Sequence, residues 1–191
     1  GRAGIEVAVD LPVGTAFCDH PEWVLPVDWP AEPGRPPLEA ALAAGDVEIR
    51  FYTTGFAAMT GSPAVADPPH IGIALMRPRT RGRMTVISPD VAVAPVLEQR
   101  YDTAAEDVSA LRQGAEMACE IGGVVGREAF WSTTQHLSGT APMGPVLDEQ
   151  CRVRGVTGLW VVDGSVMPAL PSRGPHASIV MIGHRAAQFI G

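Results

Sequence analysis

The chain has 191 residues and a net charge of −7, with 14 basic side chains, all of them arginine, against 21 acidic ones. That length allows one domain or two small ones with a proper core. The acidic balance speaks against a nucleic-acid partner, whose phosphates require a basic face. No apolar run reaches ~18 residues, so no membrane span is expected. Cys18, Cys119 and Cys151 are odd in number, widely spaced and without a C-x-x-C pair. They read as three structural thiols of a reduced, cytoplasmic protein, not as a disulfide framework or zinc site. The opening Gly1-Arg2-Ala3 lacks a methionine, so any targeting signal upstream of residue 1 is left open.

In chain order, residues 7–9 are a short β-branched run. Residues 26–37 are proline-rich and read as a linker or turn region. Residues 47–53 alternate and are β-rich, and residues 71–76, 83–88 and 96–101 are further strand candidates. Residues 55–69 hold Gly, Ser and Pro and read as a loop. Strands at this spacing without intervening helices predict an antiparallel sheet.

Thr103 with Glu106 three residues on predicts a capping box. Val108, Leu111, Ala115, Ala118 and Ile121 then recur at helical spacing, and the pair Gly122-Gly123 ends that helix. Residues 130–134 read as extended. Residues 159–162 are a continuous apolar run before Asp163, the pattern of a strand buried on both faces. A last helix is predicted from about 177 to 190.

Several groups could carry chemistry. Gly174-Pro175-His176 precedes an apolar helix, so His176 sits where unpaired N–H groups and the positive end of the dipole point outward. An anionic ring edge is favoured there, and the same dipole lowers the pKa of a neighbouring imidazole. His136, followed by Gly139, Thr140, Met143 and Gly144, is a second candidate. Asp163 would lie beyond a strand's carboxyl end, where ligands of open α/β sheets bind. Arg77, Arg79, Arg81 and Arg83 form a basic run that Pro78 and Gly82 interrupt, and it reads as a solvated hairpin. The five histidines lack metal-binding spacing, so no metal is expected. Ser165 follows Gly164 without the second glycine of G-x-S-x-G, which weakens a hydrolase reading based on Ser165 or Ser138.

Three stretches together resemble the C-terminal part of the glucose–methanol–choline (GMC) flavin oxidoreductases. They are Leu11-Pro12-Val13-Gly14 with Asp19-His20-Pro21, then Gln135-His136-Leu137-Ser138-Gly139-Thr140-Ala141-Pro142-Met143-Gly144, then Asp163-Gly164 with Ser172-Arg173-Gly174-Pro175-His176. The last two look most like the mycofactocin-associated branch. The resemblance implies an α+β to α/β architecture: an antiparallel-sheet substrate domain backed by helices, plus the C-terminal strand and helix of a Rossmann-like FAD domain. It implies residues 1–25 and 143–191 in the FAD part and residues 26–142 in the substrate part. It implies FAD as cofactor, a small-molecule alcohol as substrate, His136 as base or alkoxide stabiliser and His176 as its partner. It further implies cofactor contacts from Asp163, Gly164, Pro175, His176 and Ala177. The electron acceptor stays open among oxygen, a quinone and a peptide-derived redox cofactor. The glycine-rich turn for the adenosine diphosphate lies in the family's first half, so residues 1–191 alone are expected to bind FAD weakly and to need that half. A non-catalytic fragment without FAD is the other outcome to weigh.

Overall fold

The run His-Ile-Gly-Ile-Ala-Leu forms the middle strand, β4 (His70–Leu75), of a five-stranded antiparallel sheet. All six of its residues are buried, because both faces of the sheet are covered there. The sheet runs in the order β2-β3-β4-β1-β7, with β1 (Pro21–Pro26), β2 (Leu38–Ala44), β3 (Val47–Tyr52) and β7 (Phe130–Thr133). The computed structural model describes residues 3–30, 34–59 and 68–190. Together with α1 (Phe56–Met59) and α2 (Ala105–Gly122), the sheet makes up a compact unit of His20–Pro78 and Ala104–Thr134.

Alternation divides the sheet into two chemically distinct faces. One carries Leu25, Val47, Ile49, Ile71, Ile73 and Leu75, and α2 lays Leu111 and Ala118 onto it to close the core. The other face is polar. Arg50 Nε donates to Glu48 Oε1 at 2.8 Å, and Arg50 Nη1 lies 3.7 Å from Glu22 Oε1. The rings of Tyr52 and His70, which pair across β3 and β4, are 4.7 Å apart. Gly123 ends α2 in the left-handed region (φ 62°), where its lack of a Cβ removes the steric cost, and its N–H returns to the carbonyls of Cys119 and Glu120.

The other unit comprises Gly1–Asp19, Arg79–Thr103 and Gln135–Gly191. It holds a two-stranded ribbon of β5 (Arg83–Thr85) and β6 (Val96–Glu98), a 3₁₀ turn at Gly164–Val166, and α3 (His176–Ala186). Its core gathers Ala141, Val146, Leu147, Val166 and Met167, with Ile179 and Ile182 of α3 packed against them. Residues 14–18 thread between two other segments: Gly14 and Phe17 bond Met84 and Gly82, and Gly14 and Cys18 bond Thr140 and Ser138. Among the described residues, no helix is long and apolar enough to cross a membrane.

Several sequence expectations need correction. The capping box does not form: Thr103 Oγ1 donates back to the Arg100 carbonyl, and α2 starts after Ala104 with no side-chain cap. The helix buries Asp107, Leu111, Gly114 and Ala118, while Ile121 is 56% exposed. The run 159–162 is not a strand. Only Trp160 makes a bridge, to Arg152, and Leu159 is 48% exposed. Backbone bonds hold the run to residues 151–153 on one edge, with the Val153 N–H donating to the Leu159 carbonyl at 2.9 Å and the Val161 N–H to the Cys151 carbonyl at 3.1 Å, but no extended ladder forms. The expected loop 55–69 contains α1, and its residues 60–67 lie outside the described residues. The strands expected at 83–88 and 96–101 are shorter, and β1 and β2 were not anticipated as strands.

The compact units also break elsewhere than at the expected boundaries of 25/26 and 142/143. β1 pairs with both β4 and β7, which draws residues 20–25 into the sheet, and residues 79–103 and 135–142 fall with the other unit.

Candidate active site

His136 follows Gln135, whose φ of 60° puts a non-glycine residue in the left-handed region. That turn aims the His136 backbone N–H at the buried carboxylate of Asp19, which accepts it on Oδ1 at 2.9 Å. The other carboxylate oxygen accepts the Tyr101 hydroxyl at 2.5 Å. Past the histidine, Ser138 Oγ donates to the His136 carbonyl at 2.9 Å, and Ser138 exchanges both backbone bonds with Cys18. His136 is thus fixed on both sides, with a half-buried side chain.

The chain from 139 to 143 then pairs with the turn after Asp163. Gly139, Ala141 and Met143 donate in succession to the carbonyls of Gly164, Ser165 and Val166 at 3.1, 2.9 and 2.9 Å. Asp163 caps that turn: its Oδ1 accepts the Ser165 N–H at 2.8 Å and also the Ser165 hydroxyl. The expected strand-end geometry is therefore absent, and the carboxylate is exposed, with no bond to its Oδ2 among the described residues. Gly164 lies where three segments converge. A Cβ there would sit 3.2 Å from Ile179 Cδ1 of α3 and 3.2 Å from Ser138 Oγ.

The start of α3 closes the group. A Cβ on Gly174 would lie 3.6 Å from both Cε1 and Nε2 of His136, so the imidazole rests against the turn that leads into the helix. His176 comes two residues later, within ~7 Å of chain. It is exposed, as is Ala177, while Pro175 is buried. The N-terminus of α3 has no side-chain cap and no acidic residue in its first turn, so its outward N–H groups are not neutralised locally. The indole N–H of Trp160 is buried and has no hydrogen-bond partner among the described residues. Val180 and Met181 of α3 are 57% and 64% exposed.

The serine candidates do not form a catalytic pair. Ser138, 1% exposed, bonds a backbone carbonyl, and Ser165 bonds Asp163; neither hydroxyl donates to an imidazole. The arginines 77, 79, 81 and 83 are all exposed, and only Arg83 lies on a strand. His184 is exposed near the end of α3. Cys18 and Cys151 are buried free thiols, and burial pushes both above the usual thiol value, with Asp148 adding to the effect at Cys151. Asp19 and Tyr101 carry the arrangement yet had no assigned role in the sequence. Asp19 was visible only as part of Asp19-His20-Pro21.

The uncapped start of α3 and the His136 imidazole are thus brought together through Gly174. Residues 124–183 match the GMC oxidoreductase family profile, and the chain belongs to that family as a C-terminal portion. It is 35% identical to an uncharacterised GMC-type oxidoreductase of Rhodococcus erythropolis, across 98% of this chain and 43% of that protein. It is 29% identical to choline oxidase of Arthrobacter globiformis, over the same shares. Among solved structures, pyridoxine 4-oxidase of Mesorbium loti has a TM-score of 0.77 at 20% identity, covering 98% of this chain and 46% of that one. A formate oxidase of Aspergillus oryzae studied for its FAD modification also has a TM-score of 0.77 at 20% identity, covering 99% and 49%. These likenesses show the fold. The chain spans less than half the length of the curated relatives it matches.

Proposed function

We propose that the protein carrying this chain oxidises a small alcohol with bound FAD, and that His136 handles the hydroxyl proton. The observation that supports this most is the His136 ring resting against Gly174, at the start of a helix whose N–H groups are uncapped. The family membership supports the cofactor, and the relatives named for choline support an alcohol substrate.

The residues present fit a flavin. The N-terminus of α3, from Pro175 through His176 to Ala177, offers donors and a positive dipole end to an anionic ring edge. The Asp163–Gly164 turn offers a carboxylate oxygen to cofactor hydroxyls. Bound FAD would supply the hydride acceptor. His136 accepts the alcohol's proton, a step that typically contributes ~10²–10⁴ in rate. His176, exposed and without a hydrogen-bond partner among the described residues, orients the substrate oxygen.

In this reading the unit of residues 20–78 and 104–134 is the substrate domain, and the unit of 1–19, 79–103 and 135–191 belongs to the FAD domain. The adenosine part of FAD is held by polypeptide outside residues 1–191, which the longer relatives possess. The final acceptor is oxygen, a quinone or a peptide-derived cofactor of the mycofactocin type.

The test is steady-state oxidation of choline, pyridoxine and benzyl alcohol by the full protein, with each acceptor supplied in turn. His136→Ala should lower the rate ~10²–10⁴-fold while flavin absorbance stays intact. A colourless full protein, or a His136→Ala variant with normal rates, would overturn the reading.

A further inference from the structure

We propose that Asp19 is a positioning residue for His136, clamping the backbone from which the imidazole projects, with Tyr101 holding the clamp. The functional consequence rests on the reading of His136 as the proton acceptor. The clamp itself rests on geometry alone.

Asp19 is 4% exposed and Tyr101 is 8% exposed. A carboxylate so deeply buried is costly to desolvate unless it is well hydrogen-bonded. Here it accepts the His136 N–H at 2.9 Å and the Tyr101 hydroxyl at 2.5 Å. The two donors come from positions 117 and 82 residues away in sequence, so one side chain ties together three segments of one unit.

A second observation shows what the tie holds. Gln135, just before the histidine, has φ 60°. A non-glycine residue there is strained and persists only where its surroundings enforce it. The bond from the next N–H to Asp19 is such an enforcement. Without it, Gln135 relaxes toward negative φ, the 135–136 peptide rotates, and the His136 side chain changes direction. Downstream, the Cys18–Ser138 bridge stays in place, so the disturbance is confined to the residues around the histidine. Asp19 touches neither substrate nor flavin in this account. It acts through His136.

The experiment compares Asp19→Ala, Asp19→Asn and Tyr101→Phe in the full flavin-loaded protein. Hydrogen–deuterium exchange of the peptide containing His136 reads the clamp, and choline, pyridoxine and benzyl alcohol serve as substrates. In Asp19→Ala, exchange at His136 should quicken ~10- to 100-fold, the factor set by losing a charge-assisted bond, while α2 is unchanged. Turnover should fall ~100-fold, as expected for a small misplacement of a catalytic group, with KM and flavin absorbance nearly unchanged. Asp19→Asn keeps an acceptor for the His136 N–H and should recover most of both. Tyr101→Phe removes one leg only and should fall between Asp19→Ala and the wild type.

Wild-type exchange at His136 in Asp19→Ala overturns the clamp. A turnover loss that only tracks flavin loss, or a fall that Asp19→Asn does not relieve, overturns the positioning role. Should Asp19→Ala not fold, Asp19→Asn and Tyr101→Phe carry the test, and Tyr101→Phe with wild-type exchange and turnover overturns the proposal. If the unsubstituted protein oxidises none of the three alcohols, the functional reading fails while the exchange data still decide the clamp.

Discussion

Gly174 and His136 are neighbours: a methyl group on Gly174 would lie 3.6 Å from both Cε1 and Nε2 of the imidazole. That is ordinary van der Waals distance, so Gly174→Ala should be accepted with little change. Gly174→Val adds two branches at the same place and overpacks the ring, at a cost of about 1–3 kcal/mol. Chemical shifts of the His136 ring should move in the valine variant and stay in the alanine variant. Unmoved shifts in both would mean that the ring does not rest there in solution.

Arg50 should be the most sensitive charge in the sheet unit. It is 9% exposed and lies between Glu48 and Glu22, the latter 7% exposed. Arg50→Met leaves buried negative charge without its cation, a loss of about 3–5 kcal/mol for pairs of this kind. Adding Glu22→Gln should recover part of it. Urea unfolding of the two variants measures both effects, and equal stability in Arg50→Met and wild type would contradict the burial described.

Gly123→Ala isolates a backbone effect. No atom comes within 4 Å of a Cβ built there, so packing does not enter. The cost comes only from φ 62°, about 1–2 kcal/mol for an L-residue. The urea midpoint should drop with the slope unchanged.

The thiols give a pH prediction. Burial raises Cys18 above its usual value, opposed by the nearby Arg81 guanidinium. The folded chain therefore holds that proton more tightly than the unfolded one. The contribution is fully present below the unfolded thiol's pKa and is lost as pH rises through the folded value. Native protein at pH 8 should resist iodoacetamide at Cys18, and the urea-unfolded chain should react. Rapid native labelling at that pH would show the site to be open.

Much of this protein could be read from local pattern. α2 was legible because its apolar period and the Gly122-Gly123 stop are both local properties. β4 was legible because Ile71 to Leu75, all buried, leave a run without a polar side chain. β2 was not. Its Leu-Glu-Ala-Ala-Leu-Ala-Ala favours a helix by propensity, and pairing with β3 through the two-residue Gly45–Asp46 turn overrides it. The run 159–162 failed in the opposite direction: an apolar stretch specifies burial, but only neighbouring strands make it a strand.

The site divides along the same line. Motif resemblance picked out His136, Asp163 and the start of α3 separately, since each lies in a short contiguous pattern. What only the tertiary structure decided is how they are held. Asp19 and His136 are 117 residues apart, and their bond depends on a buried carboxylate meeting one N–H that a left-handed Gln135 turns toward it. No local periodicity encodes a contact of that separation, because it is set by which segments fold against each other.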